Sequence, residues 1–246
     1  MRPWRHSPMP ADTPAVVLVT GATGALGRAV VRRFAADGAR LALVGRHEDR
    51  LRRVADSAGL ADDAWMLALG ELADRAAAQA VVDAVEARFG RIDVLVHLVG
   101  GWAGGVPVVD LDPEVLRTML DQHLWTTLHV TQAAVPGMVE RGFGRVLAVT
   151  SPFATNPAAK GASYAVAKAA QETLLRTLAR ETAGTGVTVN LVAVRTIDLR
   201  HERESEPTTK NANWTTPEEI AEALASLASP AADAITGARI PLDGRG

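Results

Sequence analysis

The run Ala15-Val16-Val17-Leu18-Val19-Thr20-Gly21-Ala22-Thr23-Gly24-Ala25-Leu26-Gly27 decides the fold class of this chain. Residues 16–20 are all β-branched or leucine and read as a strand buried on both faces; the stretch after Gly27 has the apolar spacing of an amphipathic helix. Between them lies a turn with three glycines. A turn without Cβ atoms lets backbone N–H groups approach a pyrophosphate, and the N-terminus of the next helix adds partial positive charge. A strand-to-helix turn can need glycine for sterics alone, but its place between the first strand and the first helix points to a dinucleotide. No Lys follows the last glycine, so this is not a Walker loop.

Outward from that turn, short β-branched runs alternate with Ala-rich amphipathic stretches. Strands are predicted at 15–20, 39–44, 65–69, 93–98, 144–150, 187–194 and 238–242, and helices at 26–37, 49–58, 75–89, 113–140, 162–183 and 217–228. This pattern predicts an α/β chain: a doubly wound, Rossmann-like parallel sheet of about seven strands in a three-layer sandwich with helices on both faces. Thr216 and Glu219 are spaced as a capping box with Pro217 in the first turn, and Gly38, Gly90 and Gly142 fall where helices should end. No linker divides the sequence, so residues 15–246 are expected to form one domain after a disordered leader at 1–14. Two segments break the alternation, 100–113 with Trp102 and 195–216 with Trp214. Both follow strand C-terminal ends, where the loops of an open parallel sheet cover ligands.

Composition narrows the function. Of 246 residues, 48% are hydrophobic and 22% charged, enough to build a core and too apolar for a disordered chain. The formal net charge of -2 provides no long-range field for nucleic acid or an anionic membrane. The absence of cysteine excludes a disulfide framework and thiolate chemistry. Histidines at 6, 47, 97, 123, 129 and 201 include no i, i+4 pair, so no metal site is expected. There is no run of about 18 apolar residues to span a bilayer, and the cytoplasm is the expected address.

The chemistry rests on three residues. Tyr164 is the sole tyrosine and Lys168 one of three lysines; four apart on a helix, they share a face. A free phenol has a pKa of about 10, and a nearby ammonium favours phenolate, so the pair suits proton exchange with an alkoxide. Ser151, at the end of the fifth strand, can meet them at the sheet edge and donate to a substrate oxygen. The second strand ends Val44-Gly45-Arg46, with a cation in place of the acid that commonly holds both ribose hydroxyls of NAD. Arg46 suits a 2'-phosphate, so NADP(H) is favoured and NAD(H) remains possible.

Ser151 together with Tyr164-Ala-Val-Ala-Lys168 resembles the catalytic Ser and YxxxK of the short-chain dehydrogenase/reductase family, and the resemblance extends over 15–246. It implies a nicotinamide-dependent oxidoreductase that moves the pro-S hydride between the cofactor and a carbonyl or alcohol substrate. Tyr164 would be the general acid/base, Lys168 would lower its pKa and hold the ribose, and Ser151 would orient the oxygen. It further implies a homodimer or homotetramer built through the long helices.

Departures from the family pattern are specific. The turn reads TGxxGxxG, with Gly24 one place early and Ala25 where a glycine is usual. His97-Leu98-Val99-Gly100 stands for NNAG, leaving only Gly100. Glu71, next to Leu72, is the acid expected to meet adenine. His123 replaces the asparagine that holds a relay water, and with an ordinary pKa near 6.5 it is a candidate to hold the water, to carry the proton itself or simply to pack. Val194-Arg195 replaces Pro-Gly, with Thr196 expected to bond the carboxamide. The expected cofactor contacts are therefore Gly21, Thr23, Gly24, Ala25, Leu26, Gly27, Arg46, Glu71, Leu72, Gly100, Tyr164, Lys168 and Thr196. Trp102, Phe153 and Trp214 are expected to wall an apolar pocket. The alternative reading is a dinucleotide binder with a non-redox, sensor or structural role; a phenol and amine kept together argue against it, since a binder has no use for that proton.

Overall fold

The computed structural model describes residues 13–243; most of the leader expected at 1–14 lies outside them. Seven parallel strands form a single sheet in the order β3-β2-β1-β4-β5-β6-β7. They are β1 (Val16–Thr20), β2 (Arg40–Gly45), β3 (Trp65–Leu69), β4 (Val94–His97), β5 (Gly144–Thr150), β6 (Val187–Val194) and β7 (Arg239–Leu242). The predicted sheet is present, with strand ends moved by at most one residue. Every residue of β1 and β6 is buried, as strands covered on both faces require.

Each face of the sheet carries its own core. On one, Val17, Val19, Leu41 and Leu43 meet α1 (Ala25–Ala36), α2 (Glu48–Ser57) and α8 (Pro217–Ala228). On the other, Leu18, Val146 and Leu191 meet α3 (Arg75–Phe89), α5 (Thr126–Arg141) and α6 (Ala162–Glu181). Side chains of a strand alternate between faces, so each strand feeds both cores. The order of connection reverses between β1 and β4, which pair directly from Val17↔Val94 to Thr20↔His97. Chain leaves this point towards opposite edges and opens a crevice above the strand ends.

Two expectations change. The helix predicted over 113–140 is not continuous: α4 (Pro113–Leu120) passes through a π-turn at Asp121–Trp125 into α5. Hydroxyls hold the widened turn, Thr126 donating to the Gln122 carbonyl at 2.8 Å and Thr127 to that of His123. Such back-bonding and wide turns recur where helices are locally respaced at functional sites. The segment 195–216, which breaks the alternation in the sequence, has ordered structure of its own. It contains α7 (Glu202–Ser205), whose first N–H groups donate to the buried Asp198 carboxylate, and Arg203 pairs with Glu219 at the start of α8 at 2.6 Å. The predicted capping box at Thr216 and Glu219 is present.

Candidate active site

Two adjoining cavities lie along the strand C-terminal ends and share Gly21, Gly24, Leu98, Val99 and Gly100. The first, about 350 Å³, runs from the glycine turn past Thr23, Arg46, His47, Arg50, Glu71 and Leu72. Gly21 has φ +68°, and a Cβ there would lie 2.9 Å from the Leu98 backbone; at Gly27 a Cβ would lie 2.3 Å from the Gly21 carbonyl. Those two glycines press the turn onto β4 and α1 onto the turn. Gly24 is the N-cap of α1 and offers no side-chain cap, so the first N–H groups of the helix face the cavity, the donor set that a pyrophosphate requires. At Gly45 a side chain would press on Leu51, with the Cβ at 3.2 Å, which explains the lack of an acid there. Arg46 extends beside it, 3.8 Å from Glu71.

The second cavity, about 320 Å³, is lined by Ala25, Leu26, Gly27, His97, His123, Val149, Tyr164, Lys168, Ile197 and Leu199. Tyr164 is the third residue of α6, within the first turn, whose partial positive charge favours phenolate. Burial acts the other way and pushes the phenol above its ordinary pKa, while the Ser151 hydroxyl draws it down. Ser151 is buried and lines neither cavity; its hydroxyl accepts a hydrogen bond from the Phe153 N–H at 3.3 Å, which leaves its own O–H for the Tyr164 oxygen. Behind it, Arg239 bonds both the Ser151 carbonyl and the buried Glu172, each at 3.1 Å, and Thr150 donates to the same carboxylate. Lys168 is buried and reaches the Val149 carbonyl at 2.8 Å and Gln171 Oε1 at 2.9 Å. Burial lowers its pKa to about 7.

His97 and His123 stand against this pair. The Thr20 hydroxyl accepts from the Leu98 N–H and meets His97 Nδ1 at 2.8 Å; Thr126 Oγ1, its proton given to Gln122, meets Nε2 at 3.3 Å. The consistent assignment puts the His97 proton on Nε2. For His123, Nε2 lies 3.0 Å from the Gly101 carbonyl, which can only accept, so Nε2 carries the proton and Nδ1 a lone pair. That Nδ1 is buried and has no hydrogen-bond partner among the described residues. Burial, followed by the Lys168 charge, lowers both histidines to about 3. His123 faces Tyr164 edge-on at 5.6 Å as a neutral ring, which favours holding a water or packing over carrying the proton among the roles the sequence leaves open to it.

The expected residues separate accordingly. Gly21, Thr23, Gly24, Ala25, Leu26, Gly27, Arg46, Glu71, Leu72, Gly100, His123, Tyr164 and Lys168 line one cavity or both. Thr196 lines neither; its carbonyl accepts from the Thr215 N–H at 3.0 Å, which ties the segment after β6 to α8. Phe153 packs edge-on against Tyr164 at 6.4 Å. Trp102 is 67% exposed, and the Trp214 carbonyl is held by Arg203; neither tryptophan lines a cavity. His47, Arg50, Asp121, Gln122, Ile197 and Leu199 line the cleft without having been singled out, since short-range pattern says nothing about loops converging from different strands.

The model of the short chain dehydrogenase family matches residues 15–210. This chain is a short-chain dehydrogenase/reductase. It is 34% identical to (2S)-[(R)-hydroxy(phenyl)methyl]succinyl-CoA dehydrogenase subunit BbsC of Thauera aromatica, covering 90% of each chain. It is 30% identical to the NADP-dependent 3-hydroxy acid dehydrogenase YdfG of Shigella flexneri, covering 85% of this chain and 87% of that one. Among solved structures, a 3-ketoacyl-(acyl-carrier-protein) reductase from Brucella melitensis complexed with NADH superposes with a TM-score of 0.84 at 28% identity, covering 94% and 98%. As a member of this family the chain is an NAD(P)-dependent oxidoreductase acting on a small molecule. Among the described residues no helix is long and apolar enough to cross a membrane.

Proposed function

We propose that this short-chain dehydrogenase/reductase interconverts a carbonyl compound and its alcohol with NADP(H), through Ser151, Tyr164 and Lys168, in a single domain spanning 15–246. The observation that carries the reading is that Tyr164 and Lys168 line the same cavity that the glycine turn opens. When bound, the nicotinamide supplies or takes the hydride. Ser151 turns its O–H from Tyr164 to the carbonyl oxygen when substrate is bound and so polarises the carbon; Tyr164 delivers its proton to that oxygen as negative charge develops. Lys168 favours the phenolate left behind. His123 Nδ1 accepts an N–H or O–H from the bound ligand or from a water beside Tyr164, which removes the cost of its buried lone pair.

Arg46, with His47 and Arg50 along the same wall, supports a 2'-phosphate and hence NADP(H) over NAD(H). Ile197 and Leu199, which line the cavity, support a substrate with an apolar flank; Phe153 lies outside the lining and packs against Tyr164. Trp125, Val139 and Val166 remain exposed on the π-turn, α5 and α6 and support assembly into a homodimer or homotetramer, measurable by light scattering. The functional test follows NADPH and NADH consumption with ethyl acetoacetate and 1-phenyl-1,2-propanedione as probes. Turnover with at least about a tenfold preference for NADPH, roughly 1.4 kcal/mol, is expected. Tight NADPH binding with no turnover on any carbonyl would instead establish the binder.

A further inference from the structure

The Lys168 ammonium has three hydrogens, and the structure commits two of them away from the cleft. One goes to the Val149 carbonyl of β5 and one to Gln171 Oε1, a turn along α6. Gln171 is 1% exposed, and its Nε2 donates at 2.9 Å to Thr127 Oγ1, itself fully buried. Thr127 in turn donates to the His123 carbonyl in the π-turn. The direction of every bond is settled by chemistry. An ammonium only donates and a backbone carbonyl only accepts, so the amide must face its oxygen to Lys168 and its nitrogen to Thr127.

We propose that Gln171, backed by Thr127, is the positioning residue of Lys168, fixing the ammonium so that a single N–H remains for the cleft. The proposal deepens the acid/base reading of Tyr164 and Lys168 and rests on it for its significance. Without an acceptor at 171 the amine would lose a fixed partner for its charged form while staying in the same dry setting, where burial already holds its pKa at about 7. The groups facing it are few. Tyr164 lies one turn before it on α6 and Glu172 one turn after, with the Glu172 Oε2 oxygen engaged by Thr150 and Arg239. His97 comes from β4 and His123 from the π-turn, both neutral. From β5 it meets the uncharged Val149 carbonyl. Gln171 is thus a side chain whose polarity is spent on favouring the charged amine. The same chain of bonds ties Lys168 to the turn that carries His123, so the two sides of the catalytic cavity are set together.

The chain has three lysines, and Lys160 and Lys210 are exposed. Protein labelled with ¹³Cε-lysine therefore gives three resolvable titrations, the Lys168 signal being the one lost in Lys168→Met. In cofactor-free protein, Gln171→Leu is expected to lower the Lys168 midpoint by about half a unit or more, and Gln171→Glu to raise it by about one unit. Thr127→Val should give a smaller fall. A Lys168 midpoint that stays put in both Gln171 variants would overturn the proposal. Should the leucine variant fail to fold, the isosteric glutamate decides alone. A shifted Lys168 midpoint alongside full activity of Tyr164→Phe would sustain the positioning role and remove the acid/base reading, so the two failures are distinguishable.

Discussion

The glycine-turn end of the cleft presents backbone N–H groups and exposed side chains, Arg46 at 73% and Glu71 at 60%. The end around Tyr164 presents side chains taken almost wholly out of water: His97, His123, Ser151 and Lys168 are all buried, and Tyr164 is half-buried. At the first end the shape of the main chain sets the donors and solvent screens the charges, so substitutions should act locally and by degrees. At the second, each polar atom depends on a particular partner, and removing one leaves another unsatisfied in a dry setting.

The sharpest way to test that contrast is Tyr164→Phe. Turnover is expected to fall by about 10³-fold or more, with NADPH affinity measured by fluorescence titration within about twofold. Retained turnover would show that the proton comes from elsewhere. Ser151→Ala should cost about 10²-fold in kcat, with KM far less affected, because the lost donor acts most strongly on the developing oxyanion. At the other end, Arg46→Asp should shift the NADP-to-NAD preference by about tenfold to a hundredfold, roughly 1–3 kcal/mol, measured as the ratio of kcat/KM values. Unchanged preference would mean that His47 and Arg50 read the 2'-phosphate without it.

The smallest expected effect concerns stability. His97 and His123 refuse a proton until about pH 3 in the folded chain but accept one near 6.5 when unfolded. The unfolded state therefore binds more protons between those values, and stability falls as the pH drops from about 6.5 towards 3. By about pH 5 each histidine should have cost about 2 kcal/mol. Urea unfolding of the chain and of His97→Asn at about pH 8 and about pH 5 measures this; the variant should show the shallower loss, and equal slopes would sink the assignment of a neutral, buried His97.

Much of this was legible in the residues. The strand-turn-helix at 15–27 announces itself because its signals, β-branching, glycine spacing and helical periodicity, are all local. The pairing of Tyr164 with Lys168 is legible for the same reason, since four residues on a helix place them on one face without reference to the rest of the chain. The interruption of the helix at Asp121–Trp125 was not, because Thr126 and Thr127 are unremarkable in a helix until their hydroxyls are seen taking backbone carbonyls. Nor was the state of His123, since its ordinary pKa leaves its charge open and it is burial beside a lysine that holds it neutral. Thr196 and Trp214 illustrate the same limit, as both lie in the segment after β6 and its hydrogen bonds turn towards α8.

By itself, then, the sequence determined the sheet, its glycine turn and the membership of the chain in its family, and it singled out the three residues on which the proposed chemistry rests, because each depends on neighbours within a few positions or one strand-helix unit. Only the tertiary structure decided which nitrogen of each histidine holds a proton, which atoms hold Lys168 and which loops reach the cleft. Those depend on burial and on partners that, Gln171 apart, come from other elements of the fold, and a desolvated group takes its properties from what surrounds it rather than from its place along the chain.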